Sequence, residues 1–123
     1  MRVIIAGSRS ITDPTLIPLV VRCSGFLITE VVCGGAKGVD TLGQLWAIEN
    51  QKAVKLFPAD WHRNQVRAGF IRNIEMLQYC NAVIAIWDGQ SRGTKHLIEQ
   101  ATLKGKPCYV HSTVSTNFKF KRK

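Results

Sequence analysis

The sequence predicts one α/β domain with three layers, a parallel sheet of about five strands covered by helices on both faces. Three observations predict it. Short apolar runs alternate with helix-period segments from residue 3 to residue 110. The runs are continuously apolar, as in strands buried on both faces, rather than alternating. The chain has 123 residues, the size of one domain, which leaves no room for two.

The elements follow in order. Val3, Ile4, Ile5 and Ala6 form a buried strand that ends at Gly7. Asp13 and Pro14 read as an N-cap and a first helical position. They open a helix with Leu16, Leu19, Val20 and Cys23 on its inner face, Pro18 early in it and Gly25 at its end. A second apolar run, from Phe26 to Cys33, leads into Gly34 and Gly35. A helix starts near Gly38 and turns Val39, Leu42 and Trp46 inward. Ala53 to Phe57 is a strand stopped by Pro58. Residues 62–79 form the longest helical segment, with Val66, Phe70, Ile74 and Leu77 on one stripe. Ala82 to Trp87 is a buried strand. Residues 92–104 form a helix with Leu97, Ile98 and Ala101 inward and Gly105 as its stop, and Pro107 to Val110 is the last strand. The domain is expected over residues 1–111, with a basic tail over 112–123.

Composition excludes several classes. Apolar residues make up 46%, enough for a core and too many for a disordered chain. No apolar run approaches the roughly 18 residues of a spanning helix, and the first strand is too brief for a signal peptide. A cytoplasmic protein without a membrane partner is expected. Cys23, Cys33, Cys80 and Cys108 form no C-x-x-C pair, and His111 beside Cys108 has no companion ligands. Buried free thiols are expected, with neither a disulfide framework nor a metal or other cofactor. The formal charge is +9, and the four basic groups Lys119, Lys121, Arg122 and Lys123 supply nearly half of it. A basic chain favours anionic partners, including nucleic acid through its basic surface.

In an open parallel sheet, ligands bind beyond the carboxyl ends of the strands, so the residues after each strand carry the functional reading. After the first strand, Gly7 admits close backbone approach, Ser8 offers a hydroxyl and Arg9 a planar fork for phosphate. After the second, Gly34, Gly35, Ala36, Lys37 and Gly38 precede a helix and make an amide cradle for an anion. Asp40, in that helix's first turn, either caps it or accepts hydrogen bonds from a ribose. On the long helix, Arg63 and Arg67 read as a solvated face, while Arg72, followed by Asn73, borders the apolar stripe. After the fourth strand, Asp88, Ser91, Arg92, Gly93 and Thr94 form another glycine and hydroxyl turn feeding a helix. His62 and His96 read as surface residues. Neither the dinucleotide fingerprint G-x-G-x-x-G nor a Walker A loop is present.

Taken together, Gly7-Ser8-Arg9, the run from Gly34 to Asp40, Arg72-Asn73 with Met76, and Ser91-Arg92-Gly93-Thr94 resemble the SLOG superfamily, and within it the YspA-type branch of small proteins. The resemblance spans residues 2 to 110. It implies a Rossmann-like sheet that binds nucleotides or nucleotide-derived ligands at these loops. Relatives in the superfamily include sensor domains for NAD-derived and ADP-ribose-type signals. They also include the LOG phosphoribohydrolases, which cleave N-glycosidic bonds, and DprA, which binds single-stranded DNA.

The LOG enzymes carry P-G-G-x-G-T-x-x-E, and the glutamate serves catalysis. Here Leu97 stands three residues after Thr94, and Glu99 lies about 200° around the helix from it. The expectation is therefore a binding protein, sensor or sequestering agent, for a ligand with ribose and phosphate. Hydrolysis of an N-glycosidic bond, with Asp40 or Asp88 as the stabilising carboxylate, is the alternative, and DprA-like binding of single strands the second alternative. Relatives often self-associate, so a homo-oligomer is expected.

Overall fold

The computed structural model describes residues 1–58 and 67–114. His62, Arg63, the start of the predicted long helix and the basic groups of the tail lie outside the described residues. Five parallel strands make one sheet: β1 (Arg2–Gly7), β2 (Glu30–Cys33), β3 (Ala53–Leu56), β4 (Ala82–Trp87) and β5 (Cys108–Ser112). Their spatial order is β3-β2-β1-β4-β5. Four helices accompany them among the described residues: α1 (Leu16–Ser24), α2 (Val39–Glu49), α3 (Ala68–Tyr79) and α4 (Arg92–Leu103). This is a single Rossmann-like domain, as the alternation of apolar runs and helical segments predicts.

The core has two halves, one on each side of the sheet. Val3 and Ile5 of β1, with Ile84 and Ile86 of β4, pack against Ile17 and Val20 of α1 and against Val39 and Ala47 of α2. Ile4 and Ala6, with Val83 and Ala85, pack against Met76 and Leu77 of α3 and Leu97 and Ala101 of α4. Alternate residues of one strand thus serve opposite layers, which is why β1 and β4 read as unbroken apolar runs. They pair in register from Val3 with Ala82 to Gly7 with Ile86. The strand order reverses between β1 and β4, and a crevice opens at that point beyond the strand ends.

Several local expectations are corrected. α1 begins at Leu16, because the Asp13 carboxylate accepts from the Thr15 amide at 3.0 Å and folds residues 13–15 into a turn instead of a helical start. Its inner face is Ile17 and Val20, whereas Leu19 and Cys23 are exposed. β2 starts at Glu30, four residues later than the apolar run. On α3, Phe70 is exposed, and the buried stripe is Ala68, Asn73, Met76 and Leu77. β5 runs on to Ser112. Of the cysteines, Cys33 and Cys80 are buried as expected, while Cys108 is half-buried and Cys23 exposed. Burial, with help from Asp40, pushes the Cys33 thiol up to about 11 and keeps it protonated. No described helix is long and apolar enough to cross a membrane.

Candidate functional site

A cleft of about 280 Å³ opens at the carboxyl end of β1, between the starts of α2 and α4, with α3 along its side. Ala6 and Gly7 form its floor. Arg9 comes from the β1 loop, Ala36 and Asp40 from the approach to α2, Arg72 and Asn73 from α3, and Arg92, Gly93 and Thr94 from the first turn of α4. Four loops and helices far apart in sequence therefore place three arginines around one space.

Asp40 is 3% exposed. Its Oδ2 accepts from the Gly34 amide at 3.0 Å and the Ala36 amide at 3.4 Å, so it closes the loop before α2. Burial pushes its carboxyl above the usual range, against the opposing pull of Arg72 and of these amides. Arg72 donates from Nη1 to the Gly34 carbonyl at 2.8 Å. The guanidinium runs so close to this loop that a Cβ on Gly34 would sit 2.1 Å from Nη1 and would push the Arg72 side chain out of its place. The Nε of Arg72 is buried without a partner among the described residues, which leaves a charged donor unspent there beside the cleft.

The β4 loop is organised differently. Asp88 Oδ1 accepts from the Gln90 and Ser91 amides at 2.8 and 2.9 Å, and Oδ2 accepts from Ser10 Oγ at 3.1 Å. These bonds hold its carboxyl down at about 2. Ser8 is 1% exposed. It donates its amide to the Ile86 carbonyl and accepts the Asp88 amide on Oγ, each at 3.0 Å. Ser8 and Asp88 therefore stitch the β1 and β4 loops together. Ser91 caps α4 by accepting from the Thr94 amide at 3.3 Å, a bond type that contributes about 1 kcal/mol.

The fifteen residues read from the sequence thus separate into two sets. Gly7, Arg9, Ala36, Asp40, Arg72 and Asn73 line the cleft, as do Arg92, Gly93 and Thr94. Ser8, Gly34, Gly35, Gly38, Asp88 and Ser91 are not among its lining and shape the loops around it. The lining also includes Phe70, Gly69, Met76 and Leu97, which the strand-end loops alone do not indicate. Leu97, at the position of the LOG glutamate, is 1% exposed, and Glu99 points away as an exposed residue.

His96 departs from the surface role expected of it. The Asn73 amide nitrogen donates to the Gly93 carbonyl at 3.0 Å and contacts His96 Nδ1 at 3.2 Å. A carbonyl can only accept, so Nδ2 is the atom at both contacts, and His96 Nδ1 must accept as well. That contact favours the neutral ring with its proton on Nε2. Burial lowers its pKa, opposed by Glu99. Folding disfavours the protonated ring, so stability is full above the unfolded value of about 6.5 and falls as pH drops through the lower folded value. Melting curves between about pH 7.5 and about pH 5 should show this slope, and His96→Gln should flatten it. An equal slope in the variant would remove His96 as its source.

The fold and cleft define the class: a Rossmann-like domain with a cationic crevice at the strand ends. Residues 1–64 match the YspA, cpYpsA-related SLOG family. The chain is also 35% identical over 117 residues to the gene 61 protein of Mycobacterium phage D29, covering 86% of this chain and 92% of that protein. The chain belongs to the YspA, cpYpsA-related SLOG family. Membership points to a nucleotide-related role, binding or hydrolysis. The family match contains the β1 and β2 loops, while Arg72, Asn73 and the β4 loop lie beyond it. No solved structure matches the chain.

Proposed function

We propose that this protein binds a nucleotide-derived ligand carrying ribose and phosphate, such as an ADP-ribose or NAD-derived compound, as a sensor or sequestering protein. The observation that carries this reading is the convergence of Arg9, Arg72 and Arg92 on one cleft beside the first turn of α4. Helix-start amides and guanidinium forks both favour phosphate. The Thr94 amide is spent on Ser91, so the backbone at Arg92 and Gly93 is the part of the turn offered to an anion. Ribose falls to the Asp40 side.

Hydrolysis of an N-glycosidic bond is the second reading, because Asp40 is a carboxylate within the cleft. Leu97 in place of a glutamate and the engagement of Asp40 Oδ2 by two amides weigh toward binding. Release of free base from AMP or NAD at high protein concentration would favour hydrolysis.

The binding test uses arginines that the fold does not need. Arg9 and Arg92 are both exposed. Arg9→Ala and Arg92→Ala should keep the melting temperature and each weaken binding of ADP-ribose about tenfold, the scale of one lost charge-assisted hydrogen bond. Thermal shift and calorimetry measure both effects. Wild-type protein that is not stabilised by ADP-ribose, NAD or AMP would defeat the proposal.

A further inference from the structure

Phe70 is 38% exposed although it belongs to an apolar series on α3, and it lines the cleft. Its ring lies flat on the His96 imidazole, with centroids 4.1 Å apart and planes 14° from parallel. His96 is in turn held by the buried Asn73 amide, which is anchored on the Gly93 carbonyl at the start of α4. The phenyl ring is thus backed on one face by a fixed imidazole, and that imidazole is tied to the same helical turn that flanks the arginines. A solvent-facing aromatic costs apolar exposure, and among the described residues this one belongs to neither half of the core.

We propose that Phe70 is the base-stacking platform of the cleft, taking the heterocycle of the ligand, preferentially a purine, on the ring face that His96 does not cover. This rests on the nucleotide reading above and specifies the half of the ligand that the arginines do not address. Arginines and helix-start amides recognise phosphate and are indifferent to the base. A flat aromatic surface recognises any planar π system and gains with its area, so the larger purine outranks a pyrimidine. His96 backs the ring and Asn73 sets the angle of His96, so these two are positioning residues.

The test separates base from phosphate by using AMP and ribose 5-phosphate as the two probes. Wild-type protein is expected to bind AMP about tenfold or more tighter than ribose 5-phosphate, the scale of one base–aromatic contact. Phe70→Leu should erase that preference and leave ribose 5-phosphate affinity unchanged, and Phe70→Trp should restore it. UMP should fall between the two probes. A Phe70→Leu protein that keeps the AMP preference overturns the platform and leaves the phosphate cleft standing. Equal weakening of both probes by Phe70→Leu, with Phe70→Trp no better, also overturns it, because the residue would then serve only the shape of the cleft. Wild-type protein that binds neither probe removes both proposals.

Discussion

Arg72→Met is expected to lower stability by about 2 kcal/mol and to abolish binding of phosphate-bearing ligands. The guanidinium donates to the Gly34 carbonyl and is the cation that favours the ionised form of Asp40. Methionine keeps the bulk, but it leaves that carbonyl without its donor and the buried carboxylate without its counter-charge. Arg72 is half-buried, so solvent screening holds the loss below the roughly 3–5 kcal/mol seen when a fully buried pair is broken. The pH dependence has a definite sign. Burial raises the Asp40 carboxyl from its ordinary 3.8. Below that ordinary value both folded and unfolded chains hold the proton and nothing is lost. As pH rises through the folded value, the fold bears the cost of ionising a buried group. Loss of Arg72 raises that value further, so the deficit of the variant against wild type should widen from about pH 4 to about pH 7. Urea titrations at both ends measure it. Adding Asp40→Asn to Arg72→Met should recover part of the deficit, since no carboxylate then needs a cation. A deficit that is constant with pH and unrelieved in the double variant would mean that Arg72 acts through the Gly34 carbonyl alone.

This pair illustrates why the loops were legible in the sequence and their division of labour was not. β1 and β4 could be read directly, because strands buried on both faces carry an unmistakable apolar run. The rule that ligands sit beyond strand ends then pointed to every loop that contributes to the cleft. Which residues face the cleft depends on pairings across the fold. Ser8 and Asp88 are 80 positions apart, and they serve each other only because β1 lies beside β4. Helix faces were harder for a related reason. A pattern of apolar residues passes over Asp40 and Asn73, yet both are buried, with backbone amides and a carbonyl meeting their needs. Counting only apolar residues on α3 therefore drew Phe70 inward, while the true stripe passes through Asn73 to Met76 and Leu77. The available signal for Phe70 was its place one turn before Asn73, on the helix that carries the Arg72-Asn73 pair.

Gly38→Ala is expected to be severely destabilising, costing about 3 kcal/mol or more and lowering the melting temperature by about 10 °C or more. Gly38 precedes α2 at φ 74° and ψ −127°, a conformation that a side-chain-bearing residue reaches only under strain. The added Cβ would lie 2.5 Å from the Ser8 carbonyl oxygen and 2.7 Å from Arg9 Cα, both backbone atoms that no rotamer change can move. Relief requires displacing the β1 loop. That loop is pinned to β4 through the Ser8 amide on Ile86 and the Asp88 amide on Ser8 Oγ, so displacement would carry into the turn that presents Arg92, Gly93 and Thr94. The same methyl placed at Gly93 meets no atom within 4 Å among the described residues beyond its own helical turn. There, in the first turn of α4, alanine should leave stability unchanged or raise it by up to about 1 kcal/mol, because it removes the backbone freedom of glycine in a helix. One chemical change at two glycines of the same site should thus divide cleanly: the first unfolds the scaffold, and the second touches only what enters the cleft. Thermal melts of the two variants without ligand decide it. A Gly38→Ala protein melting as the wild type does would show that the β1 loop can move independently of β4, and the Ser8–Asp88 stitch would then lose its role in holding the arginines together.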